Sequence, residues 1–257
     1  MYKAFGLIVL LAVGYVSADP HKFNVQSRHI KRALLPLKQQ SNGIDWCPQC
    51  VNSFGDLIEL VLDAVLQFGV MSTCGDVCDF VAEKSGSSLL GFICTIGCDI
   101  LGIEEFIKLI EKADLDPIYY CETIKLCPIN DNGDAKFKSF VILPPHAPVY
   151  STFTIDFVYV SNNGTGTGEL IITIKTVDGV PLSTSFLLEE QKPGTYAERF
   201  LLDASPDPDC DPAQEQCENW FPGIYNVTVF ICNGQCGSHH PHTQLYDSVA
   251  GSFQITE

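Results

Sequence analysis

The residues of this 257-residue chain that could do chemistry are its 12 cysteines, a histidine cluster and one acidic run. Eight cysteines form four closely spaced pairs: Cys47-x2-Cys50, Cys74-x3-Cys78, Cys94-x3-Cys98 and Cys121-x5-Cys127. Four more follow at Cys210, Cys217, Cys232 and Cys236. A Cys-x2-Cys pair can hold zinc or exchange thiols. Both readings are weak for the first group, because no histidine lies between 30 and 145. His239-His240-Pro241-His242 stands near Cys232 and Cys236, so a zinc site there is conceivable. The competing reading bridges the two cysteines and leaves the histidines exposed in a loop. In the acidic run, Asp207, Asp209, Asp211, Glu215 and Glu218 fall at the first, third, fifth, ninth and twelfth places of a calcium loop. The sixth place should be glycine for its sharp turn, and it is Pro212. A solvated acidic loop stapled by a disulfide fits better. The expectation is therefore no metal and no cofactor.

No catalytic constellation stands beside these residues. The chain has no Gly-x-Ser-x-Gly elbow, phosphate loop or zinc-protease helix, and no spacing pairs two carboxylates for acid–base work. The expectation is a non-enzyme. A formal charge of −16, from 31 acidic and 15 basic residues, argues against nucleic acid as a partner, which needs a basic face.

The cysteines are reagents in a reducing compartment and cross-links in an oxidising one. Met1-Tyr2-Lys3 is a positive n-region, residues 4–16 are apolar, and Val16-Ser17-Ala18 has the small residues of a cleavage site. This reads as a signal peptide over residues 1–18, cut between Ala18 and Asp19. The expectation is a secreted, extracellular protein, with endolysosomal passage possible. No other stretch reaches about 20 apolar residues, the length that spans a bilayer. Two sequons, Asn163-Gly164-Thr165 and Asn226-Val227-Thr228, fit a glycosylating route. Residues 19–42 form a basic arm or pro-segment. Within it, residues 19–40 carry five basic side chains against Asp19, and Lys31-Arg32 is a candidate processing site.

Helices must position the first eight cysteines. From Cys47 to Met71, Cys47, Cys50, Val51, Phe54, Leu57, Ile58, Val61, Val65 and Phe68 recur every three or four residues, with a polar stripe opposite. Ile103, Phe106, Ile107 and Ile110 repeat the pattern, and Pro117 sits near the start of a last helix. Cys74 and Cys78 lie one turn apart, as do Cys94 and Cys98, and a turn-like Lys84-Ser85-Gly86-Ser87-Ser88 separates them. An antiparallel hairpin would set Cys78 opposite Cys94 and Cys74 opposite Cys98. Cys47 with Cys127 and Cys50 with Cys121 would then close the unit. Eight cysteines nevertheless allow 105 arrangements.

This part, residues 43–128, resembles the saposin B-type family, in its opening Cys47-x2-Cys50 and closing Cys121-x5-Cys127. Ile93-Cys94-Thr95 and the run from Gly102 to Glu111 look like its amoebic pore-forming branch. The resemblance implies a compact helical module that interacts with lipid. The sequence departs by an extra cysteine pair, Cys74 with Cys98, which would resist opening. It also has Lys125 where the pore formers carry histidine, so their acid switch does not transfer. Residues 41–128 hold 14 acidic and 4 basic side chains, which anionic lipid repels. The apolar run 89–101 reads either as a sticky surface or as the buried central helix.

After a turn-rich linker at 129–136, residues 137–257 alternate with period two. Candidate strands are 138–143, 152–160, 169–176, 183–188, 195–202, 223–231 and 252–256, separated by turn signals such as Asp178-Gly179. About seven strands in this span predict an all-β sandwich, with an immunoglobulin-like arrangement possible. The fold class is thus α + β, multidomain. Cys210, Cys217, Cys232 and Cys236 can pair locally or link loops.

A signal peptide, an acidic saposin-like module and a glycosylated β half together resemble the countin family of social amoebae. The resemblance implies a secreted signalling protein within a multi-protein counting factor, which limits group size by tuning adhesion and motility. Its partners would be other secreted proteins and a cell-surface receptor. The alternative is a lipid-binding or membrane-permeabilising protein.

Overall fold

A computed structural model describes residues 28–29, 45–68, 73–111, 116–206, 217 and 219–257. The cleavage site at Ala18 and Asp19, most of the basic arm, Cys210 and the five carboxylates of the calcium template lie outside these residues.

Five helices come first: α1 (Trp46–Phe68), α2 (Cys74–Ser85), α3 (Ser88–Leu101), α4 (Ile103–Glu111) and α5 (Pro117–Thr123). Local chemistry sets their ends. The Thr73 hydroxyl accepts from Asp76 N and Ser87 accepts from Leu90 N, capping α2 and α3. Gly86 takes the left-handed conformation (φ 65°) that stops α2 and turns the chain into α3. Asp116 caps α5, accepting from Tyr119 N at 2.9 Å, with Pro117 in the first turn.

The apolar stripe of α1 is buried at Cys47, Cys50, Phe54, Leu57, Ile58 and Val61, against Val77, Val81, Ile93, Phe106, Ile110 and Tyr120. In α3 the two readings of the apolar run divide by face. Leu90, Ile93, Cys94 and Cys98 are buried, whereas Phe92 and Ile100 are exposed. Two glycines let α3 approach its neighbours. A Cβ on Gly91 would meet Ala82 Cβ at 2.6 Å, and one on Gly97 would meet the Tyr120 hydroxyl at 2.5 Å.

The β unit consists of β2 (Lys136–Leu143), β3 (His146–Pro148), β4 (Thr152–Ser161), β5 (Gly168–Lys175), β6 (Leu182–Leu188), β7 (Gly194–Asp203), β8 (Gly223–Asn233) and β9 (Gln244–Thr256), preceded far upstream by β1 (Arg28–His29). One sheet has the order β1-β6-β5-β8-β9-β3 and the other β2-β4-β7. All neighbours are antiparallel except β1 on β6 and β3 on β9. A cis Leu143–Pro144 bond lies between β2 and β3, where the chain passes from one sheet to the edge of the other.

Alternation puts one face of each strand in a shared core. Phe153, Ile155, Phe157 and Tyr159 of β4 are buried, as are Leu170, Ile172 and Ile174 of β5 and Tyr225, Val227, Val229 and Ile231 of β8. The last candidate strand, 252–256, begins earlier than expected, because β9 pairs with β8 from Gln244 onward. β1 and β3 were absent from the sequence-based strands; both are short edge pairings with no periodic run of their own.

Candidate functional site

Each of the first eight cysteines is bridged. Cys47 is bonded to Cys127, Cys50 to Cys121, Cys74 to Cys98 and Cys78 to Cys94. The two inner bonds tie α2 to α3 along their length. The two outer bonds hold α1 against α5 and the segment just after it. Cys232, at the end of β8, is bonded to Cys236 in the β8–β9 loop, and Cys217 is also disulfide-bonded. No described cysteine is free. These sulfurs are cross-links, with none left for thiol chemistry or metal.

The polar groups gather at the seam between the helical unit and one end of the β unit. Four segments build it: α5 with its cap, residues 128–134, the β4–β5 turn and the β8–β9 loop. The sequence presents 129–136 as a linker, but this segment is bound in place. Pro128 O accepts from both the backbone N (3.0 Å) and the hydroxyl (2.9 Å) of Thr167. That hydroxyl also lies 3.7 Å from Cys47 Sγ, so the first disulfide of the helices touches the start of β5. The Asp134 carboxylate accepts from Asn163 N (2.6 Å), Asn162 N (2.9 Å) and the Ser161 hydroxyl (3.2 Å). These donors hold its pKa below the usual carboxylate value, the Asn163 amide most of all.

The histidines contribute here, which corrects their reading as exposed loop residues. Only His239 is exposed. The His240 ring stacks on Tyr119 of α5, with centroids 4.1 Å apart and planes 1° from parallel. His242 Nδ1 is 2.7 Å from Asp131 Oδ1. Buried Asn233 donates through Nδ2 to His242 O at 2.6 Å. Their short loop, bridged by Cys232–Cys236, bends back onto the helices, and sequence spacing does not reveal that return.

Carboxylates line the same seam. Asp116 and Glu122 are 2% and 3% exposed. Burial pushes the Glu122 carboxyl up to about 8, aided by the nearby charges of Asp116 and Asp131. Burial also raises Glu169, against a hydrogen bond that its Oε2 accepts from Cys236 N at 2.9 Å. One signal for this site was present and unread: Gly164-Thr165-Gly166-Thr167-Gly168. A Cβ on Gly166 would sit 2.6 Å from Asn233 Oδ1 and 2.7 Å from Asn130 N, so only glycine lets the backbones of the seam close.

The arrangement joins the helical unit to one end of the β unit. Among the described residues no group of three His, Cys, Asp or Glu side chains is placed to hold a metal ion. No described helix is long and apolar enough to cross a membrane. Asn163 and Asn226 are both exposed, Asn163 in the seam's β4–β5 turn and Asn226 on strand β8.

Residues 45–125 match the model of the Countin N-terminal domain, and residues 135–257 that of the Countin C-terminal domain. Countin-1 of Dictyostelium discoideum is 35% identical over 215 residues, covering 84% of this chain and 79% of that protein. The chain belongs to the countin family. Countin-2 and Countin-3 of the same organism are 31% identical over 220 residues and 29% over 222, covering 78% and 95% of those proteins and 82% and 86% of this countin-family chain. Among solved structures, a DNA glycosylase from Pseudomonas fluorescens aligns at a TM-score of 0.35 and 12% identity, over 77% of this chain and 54% of its own, a likeness too low to bear on the fold.

Proposed function

We propose that this countin-family protein is a secreted signalling component that acts in a multi-protein complex to limit multicellular group size, through a cell-surface receptor that tunes adhesion and motility. We read its helical unit as saposin B-type, its β unit as an immunoglobulin-like sandwich, and its activity as binding without catalysis. Family membership supports the role. Five disulfides with both partners described support an oxidising, extracellular setting.

The observation that carries the reading is the closed state of the helical unit. Cys74–Cys98 and Cys78–Cys94 fasten α2 to α3 twice, and the seam fastens α5 to the β unit. A module that extracts lipid must open its apolar interior, whereas a module so fastened offers a fixed outer surface. Size-exclusion of conditioned medium, followed by adding the purified fractions to developing cells, tests this. Elution in a large complex with a dose-dependent fall in group size is expected; a monomer without effect on group size overturns it.

A lipid-binding or membrane-permeabilising role, in an extracellular or acidic endolysosomal space, is the second reading. It draws on α3, whose Phe92 and Ile100 are exposed, with Trp46 packed on Phe92 at 5.0 Å between ring centroids. Dye release from anionic liposomes between about pH 4.5 and 7 separates the two readings, because protonating carboxylates relieves the repulsion. Strong release at nanomolar protein favours the membrane role.

A further inference from the structure

We propose that Asn226 carries an N-linked glycan whose inner sugars lie over Ile224 and shield the apolar end of the six-stranded sheet. The inference rests on the secreted reading above and adds the site and its task.

Asn226 stands in the middle of β8. Strand alternation buries Tyr225, Val227 and Val229 and turns Ile224 and Asn226 outward. Across the sheet Asn226 faces Lys175 on β5 and Ser252 on β9, and Ile224 faces Gln254 on β9. No carboxylate occupies these register positions, so the site is open and carries no negative charge of its own. Ile224 is 61% exposed. Beside it, Val177 is also exposed and lies against Gly223, where a Cβ would meet Val177 Cγ2 at 2.6 Å. Two outward residues two apart on a strand are roughly 7 Å from each other, within reach of a first sugar ring. The C–H face of such a ring on Ile224 would remove apolar surface from water. An exposed apolar patch with no such cover marks an interaction or aggregation surface.

Asn163 differs. Its backbone N donates to Asp134 and its carbonyl accepts from Asn130 Nδ2 at 3.3 Å, while the hydroxyl of Thr165 in the same sequon is buried and accepts from Gln191 N at 3.1 Å. Its turn belongs to the seam.

The test uses the full-length chain secreted by a glycosylating host. Treatment with peptide N-glycosidase in ¹⁸O-water, then peptide mapping, should convert Asn226 to labelled aspartate in most molecules. Binding of the dye 8-anilinonaphthalene-1-sulfonate should rise by about twofold or more after enzymatic deglycosylation, and equally in Asn226→Gln, as apolar surface is uncovered. Adding Ile224→Ser to Asn226→Gln should return the signal to the glycosylated level. Protein in the medium with unmodified Asn226 overturns this inference alone. A glycan whose removal leaves dye binding unchanged overturns the shielding. Protein retained in the cell and bare at both sequons overturns the secreted reading as well.

Discussion

The ring of Tyr119 lies flat on the imidazole of His240, 4.1 Å away and within 1° of parallel, joining the last helix of the helical unit to the β8–β9 loop. The two residues are distant in sequence and belong to the parts matched by two different family models. Stacked aromatic rings contribute about 0.5–1.5 kcal/mol beyond area burial. A double-mutant cycle with Tyr119→Leu and His240→Leu, followed by urea unfolding, should give a coupling energy in that range. Additive single-variant effects would show that the stack does not hold the seam.

The Gly164–Gly168 run closes the same seam from the β side. Gly166→Ala puts a Cβ on Asn233 Oδ1 and Asn130 N, both within 2.7 Å. Backbone cannot give way as a flexible side chain does, so the variant should lose about 1–3 kcal/mol. Amide exchange should report the loss as faster exchange at 128–134 and 233–243 than in the cores. Uniform loosening of the whole chain would contradict a local role.

What the sequence disclosed, and what it withheld, follows from the range of the forces involved. The stripe that begins at Cys47 and the alternation of β4, β5 and β8 are short-range patterns, and they mark the start of α1 within one residue and the bounds of these three strands within two. Cys78 and Cys94 flank a tight turn at Gly86, so hairpin geometry already places them opposite one another. The seam has no such period. Tyr119, Glu122, Asp131, His240 and His242 come together only because the chain returns, and each alone reads as an ordinary surface residue. β3 and the first half of β9 were missed for a related reason: pairing with a formed neighbour overrides weak local propensity.

Helix α3 offers a contest of two effects. Gly91→Ala and Gly97→Ala each gain about 1 kcal/mol of helix propensity. Each new methyl meets a packed neighbour, Ala82 Cβ at 2.6 Å or the Tyr120 hydroxyl at 2.5 Å with Phe106 at 3.1 Å behind it. Overpacking of this kind costs about 1–3 kcal/mol, so both variants should be less stable than the parent by thermal unfolding. Stabilisation by either would mean that α3 has room to shift.

The Cys74–Cys98 bond closes a loop of sequence separation 24, but Cys78–Cys94 already closes most of it. Only two short arms remain to be restrained, so Cys74→Ala with Cys98→Ala should cost roughly 2–3 kcal/mol on a chain-entropy estimate. Removing Cys47–Cys127, separation 80, should cost a similar roughly 2–3 kcal/mol on the same basis, because Cys50–Cys121 already closes most of that larger loop. If the extra rivet keeps the module shut, the Cys74/Cys98 variant should also bind lipid vesicles that the parent does not. Equal binding by both would remove the rivet from the argument.

Glu122 gives the seam a pH dependence of definite sign. Burial first, then Asp116 and Asp131, raise its carboxyl from 4.5 to about 8. The folded state therefore keeps a proton that the unfolded chain releases. The stability tied to that proton is fully present below about pH 4.5 and is lost as pH rises through 8. Glu169, also raised by burial, acts in the same direction. Asp134 and Asp156 act oppositely: hydrogen bonds from Asn163 and from Arg199 lower them, so their contributions are present at neutral pH and lost in acid. Glu122→Gln supplies a neutral side chain of the same shape, one that needs no proton to stay uncharged. Urea unfolding from about pH 5 to 8 should show the parent losing stability through this range and the variant losing less, with the variant the more stable at the alkaline end. Parallel curves for the two proteins would place the Glu122 carboxylate in water and remove the charge argument from the seam.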